Sequence, residues 1–303
     1  METRAGQDRL AFAIPYYSGK HFLARAVESV RRQSSPHWRL LVSDDSPRDE
    51  GIADLLAQYG DARIRYRKNP ATLGLAGNWN TCLAEADGEL VTILHGDDEL
   101  LENYCEVMLR AARDYPDAVG CYCNAQIINE RGRRVVSLPD LAKRFVRPRA
   151  AGATLLTGRA AIARLLHGNF IICPTMCYKR GKLGPRRFDG RWRFAVDLDL
   201  FTRLLLDGDT LVGIPATAYA YRRHAASATA QQTATLERFA EEIEFYDGLA
   251  ALGRARDWPD VAAAGENKRM IRLNLAWCLL QDLLSCRPWD ARGKLALLAS
   301  MRK

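Results

Sequence analysis

Over its first 117 residues the chain switches hydrophobic period again and again, and this alternation limits its fold more than any other feature. The run LAFAIPYY at 10–17 is apolar, rich in strand formers and interrupted by Pro15. The next segment, HFLARAVESVRRQ at 21–33, repeats its apolar residues at Phe22, Leu23, Ala26, Val27 and Val30, a helical period. WRLLVS at 38–43 predicts a second strand, 51–59 a helix, and IRYR at 64–67 a weaker strand. After a loop at 68–76, GNWNTCLAEAD predicts a helix, ELVTILH a strand, and ELLENYCEVMLRAARDYP a long helix closed by Pro116. Strands alternating with helices of about 10–15 residues predict crossover units and a mostly parallel, Rossmann-like α/β sheet.

Later segments are more varied. AVGCYCNAQIINERGRRVVSL predicts two strands around a turn at Glu130 to Gly132, residues 139–155 a basic loop, and 158–168 a helix. RFAVDLDLFTRLLLDGD at 193–209 has a helical period with an acidic start, and TLVGIPATAYAYRRH at 210–224 predicts a strand. From residue 233 the pattern is helical, with stripes such as Leu273, Trp277, Leu280 and Leu284 expected to pack in a core or against a second copy. Shallow membrane attachment is the other expectation for these helices.

With 303 residues, 48% of them hydrophobic, the chain can bury a sizeable core. Charge breaks every apolar run well short of a membrane span, and the first residues lack a signal peptide's order, so a soluble cytoplasmic protein is expected. Eight cysteines are scattered without a CxxC pair, which argues against a disulfide framework or structural zinc. The formal charge of +8 hides an asymmetry: residues 130–193 carry 16 Lys or Arg against three acids. Such a band suits a solvated surface, an anionic membrane face or a phosphate-bearing substrate. No nucleic-acid-binding motif accompanies it, so no nucleic-acid partner is expected.

Ligands of open α/β sheets sit beyond the carboxyl ends of the strands. There the sequence delivers Tyr16 and Tyr17 after the first strand, Asp44 and Asp45 after the second, and His95, Gly96, Asp97 and Asp98 after the fourth. The carboxylates are expected to share one cleft, where a divalent cation or a donor-rich nucleotide would offset their repulsion. Asp97 with its neighbour Asp98 offers hard oxygen ligands to Mg²⁺ or Mn²⁺, ions that complete their shells with water and phosphate oxygens. Asp98 has the bland alternative of capping a helix that starts at Glu99.

Taken together, AIPYYSGKHFLARAVESVRRQ, WRLLVSDDSP and NPATLGLAGNWNTCLAEADGELVTILHGDDEL resemble the family 2 glycosyltransferases of GT-A fold, over about residues 10–224. GNWN and the His-x-Asp-Asp site resemble a bacterial rhamnosyltransferase-like subset. The resemblance implies a GT-A domain over 1–228, with a donor half at 1–117 and an acceptor half at 118–228, and a C-terminal helical region over 229–303. It implies a dTDP-, UDP- or GDP-linked sugar donor and inverting, metal-dependent transfer to an acceptor hydroxyl. Pro15 and Tyr16, beside Tyr17, would line the base pocket; Asp45, with Asp44, would bond the base; and Asn69, Gly74 and Asn80 would shape its surroundings. Asp97 matches the metal-holding acid of the family's DxD site, while His95 replaces the first acid and puts its ribose contact in question.

In FDGRWRFAVDLDLF, Asp197 matches the family's catalytic base and Val196 replaces the usual Glu. AYRRHAAS matches a Tyr-Arg-x-His ending, in which Arg222 and Arg223, Arg223 in preference, would clamp the diphosphate and His224 would approach the metal. The loop 139–155 and the segment 168–181 stand where acceptors bind, and their basic balance suits a phosphorylated or lipid-linked acceptor at the inner membrane face. Two rivals stay open. A sugar-phosphate nucleotidyltransferase would show a Gly-rich basic loop where this chain has PYYSGKHF, and a non-catalytic nucleotide-sugar binder is suggested by the replacements at His95 and Val196.

Overall fold

The computed structural model describes residues 9–136, 152–225, 227, 233, 236–284 and 288–301. At its centre four strands run parallel in the order β3 (Ile64–Lys68), β2 (Trp38–Asp44), β1 (Leu10–Tyr16) and β4 (Leu90–Ile93). The helices α1 (Lys20–Arg31), α2 (Ile52–Ala57) and α3 (Gly74–Glu85) make the crossovers, as the alternation predicts. Alternate residues of β1 point to opposite faces, Ala11 and Ala13 into one apolar core and Leu10, Phe12 and Ile14 into the other. Burial on both faces is why the strand reads as a continuous apolar run rather than an alternation.

Beyond β4 the sheet turns mixed. Its second half opens with the two-residue β5 (Glu99–Leu100) and, after α4 (Tyr104–Asp114), the longer β6 (Gly120–Ile128). They are followed by β7 (Thr154–Thr157), α5 (Gly158–Leu166), β8 (Met176–Lys179), a single turn α6 (Arg180–Leu183), α7 (Val196–Leu206) and β9 (Thr210–Arg222). β8 lies antiparallel between β4 and β6, β6 runs parallel to β9, and β7 and β5 pair antiparallel with β9. The result is a GT-A-like α/β sheet with helices on its faces and a helical C-terminal region.

Several expectations are corrected. The long helix expected over 99–116 starts only at Tyr104, because Glu99 and Leu100 are drawn into pairing with Ala220 and Tyr219. The return limb of the hairpin after Gly132 is reduced to a bridge between Ile128 and Arg134. Thr154 and Leu155, read as the end of the loop, open the strand Thr154–Thr157. Residues 139–151 of the basic loop lie outside the described residues.

Four C-terminal helices, α8 (Glu237–Ala255), α9 (Pro259–Asn267), α10 (Arg269–Leu284) and α11 (Pro288–Ser300), follow the sheet. Phe239, Phe245, Leu249, Val261, Ile271 and Leu275 join the core that also holds Ala11 and Leu200. Leu273, Trp277, Leu280 and Leu284 do not: they stand 55%, 40%, 46% and 77% exposed, so core packing is not their role within this chain. No helix among the described residues is long and apolar enough to cross a membrane, and no described cysteine forms a disulfide.

Several cations of the basic band are engaged within the fold. Lys179 Nζ donates to the carbonyls of Ala112 and Tyr115 at the end of α4, at 2.9 and 2.6 Å. Arg180 donates to the carbonyls of Ala84 and Ala86 at the end of α3. Arg186 pairs with Asp209 and Asp207. Cations on the orphan carbonyls of helix C-termini are favourable placements, and they leave less of the band for an outside anion.

Candidate active site

The sequence's acidic tip is a tight turn between two strands. Leu94 N–H extends the ladder to the carbonyl of Ala13, Asp98 N–H closes the turn on the carbonyl of His95 at 3.1 Å, and Glu99 enters β5. Gly96 packs closely enough that a Cβ there would meet Ile14 at 3.5 Å. The two adjacent acids part company at this turn. Asp98 points inward, 1% exposed, where its carboxylate accepts from the backbone N–H of Arg222 at 2.7 Å and the Tyr219 hydroxyl at 2.9 Å. Burial and the neighbouring Asp97 charge push the Asp98 carboxyl well up.

Asp97 points outward, its side chain 32% exposed, with Oδ2 2.8 Å from His224 Nε2. Burial pushes its carboxyl up, but the His224 hydrogen bond and the His95 and His224 charges outweigh that and hold it below the ordinary value. His224 is fixed in turn by the Phe22 ring, 5.0 Å away between centroids.

Arg222 supplies the buried positive charge. Its Nε donates to the Asp97 carbonyl at 2.6 Å, its Nη1 donates to the carbonyls of both Asn129 and Glu130 at 2.8 and 3.1 Å, and its Nη2 pairs with Glu99. Completely buried, it cannot reach a diphosphate, which corrects the pairing of Arg222 with Arg223 as a clamp. Arg223 remains partly exposed beside the Tyr221 ring.

His95 lies 5.0 Å from the Trp79 ring, and burial lowers its pKa against the pull of Asp97. Its Nε2 is buried with no hydrogen-bond partner among the described residues. Ligand atoms of His95, Asp97 and Asp98 all lie within 4.8 Å of one another. An imidazole whose pKa is lowered, clustered with an outward carboxylate, fits a divalent ion such as Mn²⁺, with phosphate oxygens completing the shell. Since Asp98 is already engaged by β9, Asp97 and His95 are the groups left to hold an ion.

Asp44 and Asp45 are answered from inside the protein, so the expectation that they need an external cation is corrected. Asp44, 0% exposed, accepts from Ser46 N–H and Oγ, Lys68 Nζ and the Tyr66 hydroxyl at 2.6–3.1 Å. Burial raises its pKa, but these donors outweigh it and hold the carboxyl below its ordinary value. Asp45 accepts from Asn69 Nδ2 at 2.9 Å and from the N–H groups of Leu73 and Gly74 at 2.8 and 3.0 Å, capping the start of α3. Gly74 takes φ +74° there, a conformation that strains other residues. Asn69 also donates to Asn78. The Tyr16 ring is buried and its hydroxyl bonds Glu50, Pro15 is half-buried, and Tyr17 is 55% exposed beside this cap. Asn80 both donates to and accepts from the backbone of Phe188, at 2.9 Å each way, tying the donor half to the segment before α7.

Asp197 stands in the first turn of α7, where Oδ1 accepts from Leu198 N–H at 2.8 Å and Oδ2 from Asn169 at 3.4 Å. Asp199, by contrast, is buried in an ion pair with Arg203. Burial pushes the Cys173 thiol well up, and the charges of Asp197 and Asp98 add to it. Tyr219, Lys68, Tyr66, Asn169 and Cys173 escaped sequence reading, because their roles depend on strand neighbours far away in the chain.

A family model described as "Glycosyl transferase family 2" matches residues 11–178. Among known proteins, the chain is 27% identical over 179 residues to the Escherichia coli UDP-Glc:alpha-D-GlcNAc-diphosphoundecaprenol beta-1,3-glucosyltransferase WfgD, covering 59% of this chain and 63% of that protein. It is 24% identical to the putative colanic acid biosynthesis glycosyl transferase WcaA of E. coli K12, over 78% of this chain and 80% of the other. Among solved structures, S. aureus TarS 1-349 in complex with UDP-GlcNAc superposes with a TM-score of 0.62 at 13% identity, covering 97% of this chain and 91% of TarS. GalNAc-T7 with UDP, GalNAc and Mn²⁺ reaches a TM-score of 0.56 at 13% identity over 82% of this chain and 51% of the other.

Proposed function

This chain belongs to glycosyl transferase family 2 and is a glycosyltransferase, and on that premise we propose that it moves a sugar from a nucleoside diphosphate donor with inversion, using Asp197 as the base. The observation that carries the reading is the outward Asp97 carboxylate, clustered with ligand atoms of His95 and Asp98 within 4.8 Å of one another. Asp97 and His95 would hold Mg²⁺ or Mn²⁺, with Asp98 and His224 fixing the turn. An ion there supplies positive charge to the departing diphosphate.

Asp197 accepts the proton of the acceptor hydroxyl while that oxygen forms its bond to the anomeric carbon. The bond from that carbon to the diphosphate oxygen breaks in the same displacement, and the nucleoside diphosphate leaves. Asn169 and the N–H of Leu198 orient the carboxylate for this transfer. Arg223, one residue past β9, would meet leaving-group charge in this reading. The cap formed by Asp45, Asn69 and Gly74, with the exposed ring of Tyr17, is the proposed surface for the nucleobase.

UDP is the preferred donor nucleotide in this reading, supported by the name of WfgD, and a lipid-diphosphate-linked glycan is the preferred acceptor on the same ground. Work at a membrane surface follows from such an acceptor. A rhamnosyl or other deoxyhexosyl donor is the alternative that GNWN suggests. The test is a thermal-shift panel of UDP, dTDP and GDP, each with and without Mn²⁺, because a ligand that binds only the native state raises the midpoint. Stabilisation by one nucleotide that disappears in chelator supports the reading; equal stabilisation without metal overturns the proposed ion.

A further inference from the structure

The strongest unexplained contact outside the acidic turn lies where α8 meets the start of α7. Glu241 receives three successive backbone N–H groups: Arg193 at 2.9 Å, Phe194 at 2.6 Å and Ala195 at 2.6 Å. A run of converging amides of this kind is an anion nest, and a carboxylate seated in it fixes the backbone dihedrals of the whole segment. Two further contacts from the same helix grip the same segment. Arg238 stacks over the Phe194 ring at 4.2 Å, and Phe245 meets Trp192 edge-on at 5.4 Å. Two residues beyond the nest comes Asp197, still within the first turn of its helix.

We infer that Glu241 is a positioning residue for Asp197, through which the C-terminal helical region takes part in catalysis. This rests on Asp197 being the base, as proposed above. The helical entry at Phe194 and Ala195 has no side-chain cap of its own, since Ala195 occupies the cap position. The carboxylate that orders it arrives from 46 residues downstream. Rotation of this entry turn would swing the Asp197 carboxylate away from an attacking hydroxyl, and a misplacement of about 1 Å can cost about a hundredfold in rate.

The test uses Glu241→Gln in the full chain, with UDP release from the UDP-sugar that turns over, UDP affinity, and hydrogen exchange of residues 193–198 as readouts. Turnover should fall about 10- to 100-fold, the KM for donor and the UDP affinity should stay within twofold, and exchange at 193–195 should quicken. In an Asp197→Asn background the same change should cost nothing more, since residues acting as one unit are not additive. Glu244→Gln, on the exposed side of the same helix, should leave every readout unchanged. Wild-type turnover in a folded E241Q, with Asp197→Asn inactive, overturns this inference alone; wild-type turnover in Asp197→Asn overturns the base and takes the inference with it. Should E241Q unfold, Glu241→Asp keeps the charge while shortening its reach, and wild-type turnover in that variant overturns the inference equally.

Discussion

Arg222 binds both halves of the acidic turn at once: its side chain donates to the carbonyl of Asp97 at 2.6 Å while its backbone N–H donates to the carboxylate of Asp98 at 2.7 Å. The residue that ends β9 therefore holds two acids that lie 125 and 124 positions earlier in the chain. Its buried charge, paired with Glu99, meets the negative charge that the sequence places there.

Removing that cation leaves buried carbonyls and Glu99 unanswered. Arg222→Met should destabilise the protein by about 3–5 kcal/mol, the usual cost of breaking a buried pair. Denaturant unfolding checks this, and a change below about 1 kcal/mol would show that the hub is dispensable.

Neutralising the outward acid should act on ligand and not on fold. Asp97→Asn is expected to unfold at nearly the wild-type temperature while losing the Mn²⁺-dependent part of UDP stabilisation. Calorimetric titration of UDP with and without Mn²⁺ reads the difference directly.

Asp197→Asn keeps the shape of the side chain and removes its capacity to take a proton. Turnover should drop about 10²- to 10⁴-fold, the usual range for a general base, with UDP affinity unchanged. A variant that turned over normally would exclude Asp197 as the base.

Asp44 gives a pH dependence whose sign follows from its lowered pKa. A carboxyl held below its unfolded value of about 3.9 contributes stability that is fully present above that value and is lost as pH falls through the folded one. Lys68→Met removes one of the donors responsible, so the gap in stability between wild type and variant should be open at pH 7 and narrow below about pH 4. A gap that widened in acid would assign the lowering to other groups. Urea midpoints across pH provide the measurement.

The parallel half of the sheet and the position of the acidic turn were legible because each follows from local pattern. A strand buried on both faces reads as an apolar run, a crossover helix reads as a period of 3.6, and the polar residues after each strand mark the ligand end. Glu99 and Leu100 show where local pattern fails: their helical period continues smoothly into α4, yet pairing with β9 draws them into a strand. Aspartates 44, 45, 97 and 98 show the same limit in chemistry. Sequence put all four at strand ends, but residue type cannot tell which carboxylate will find donors inside the fold.

Chain order alone determined the alternating α/β architecture, the ligand edge of the sheet and the residues that could do acid and metal chemistry, because hydrophobic period and strand-end polarity are properties of neighbours in sequence. Tertiary structure decided which of those acids face outward, that Arg222 is a buried tie, and that Glu241 reaches the entry of the Asp197 helix. Those outcomes depend on donors brought together from positions far apart in the chain, and no local spacing encodes them.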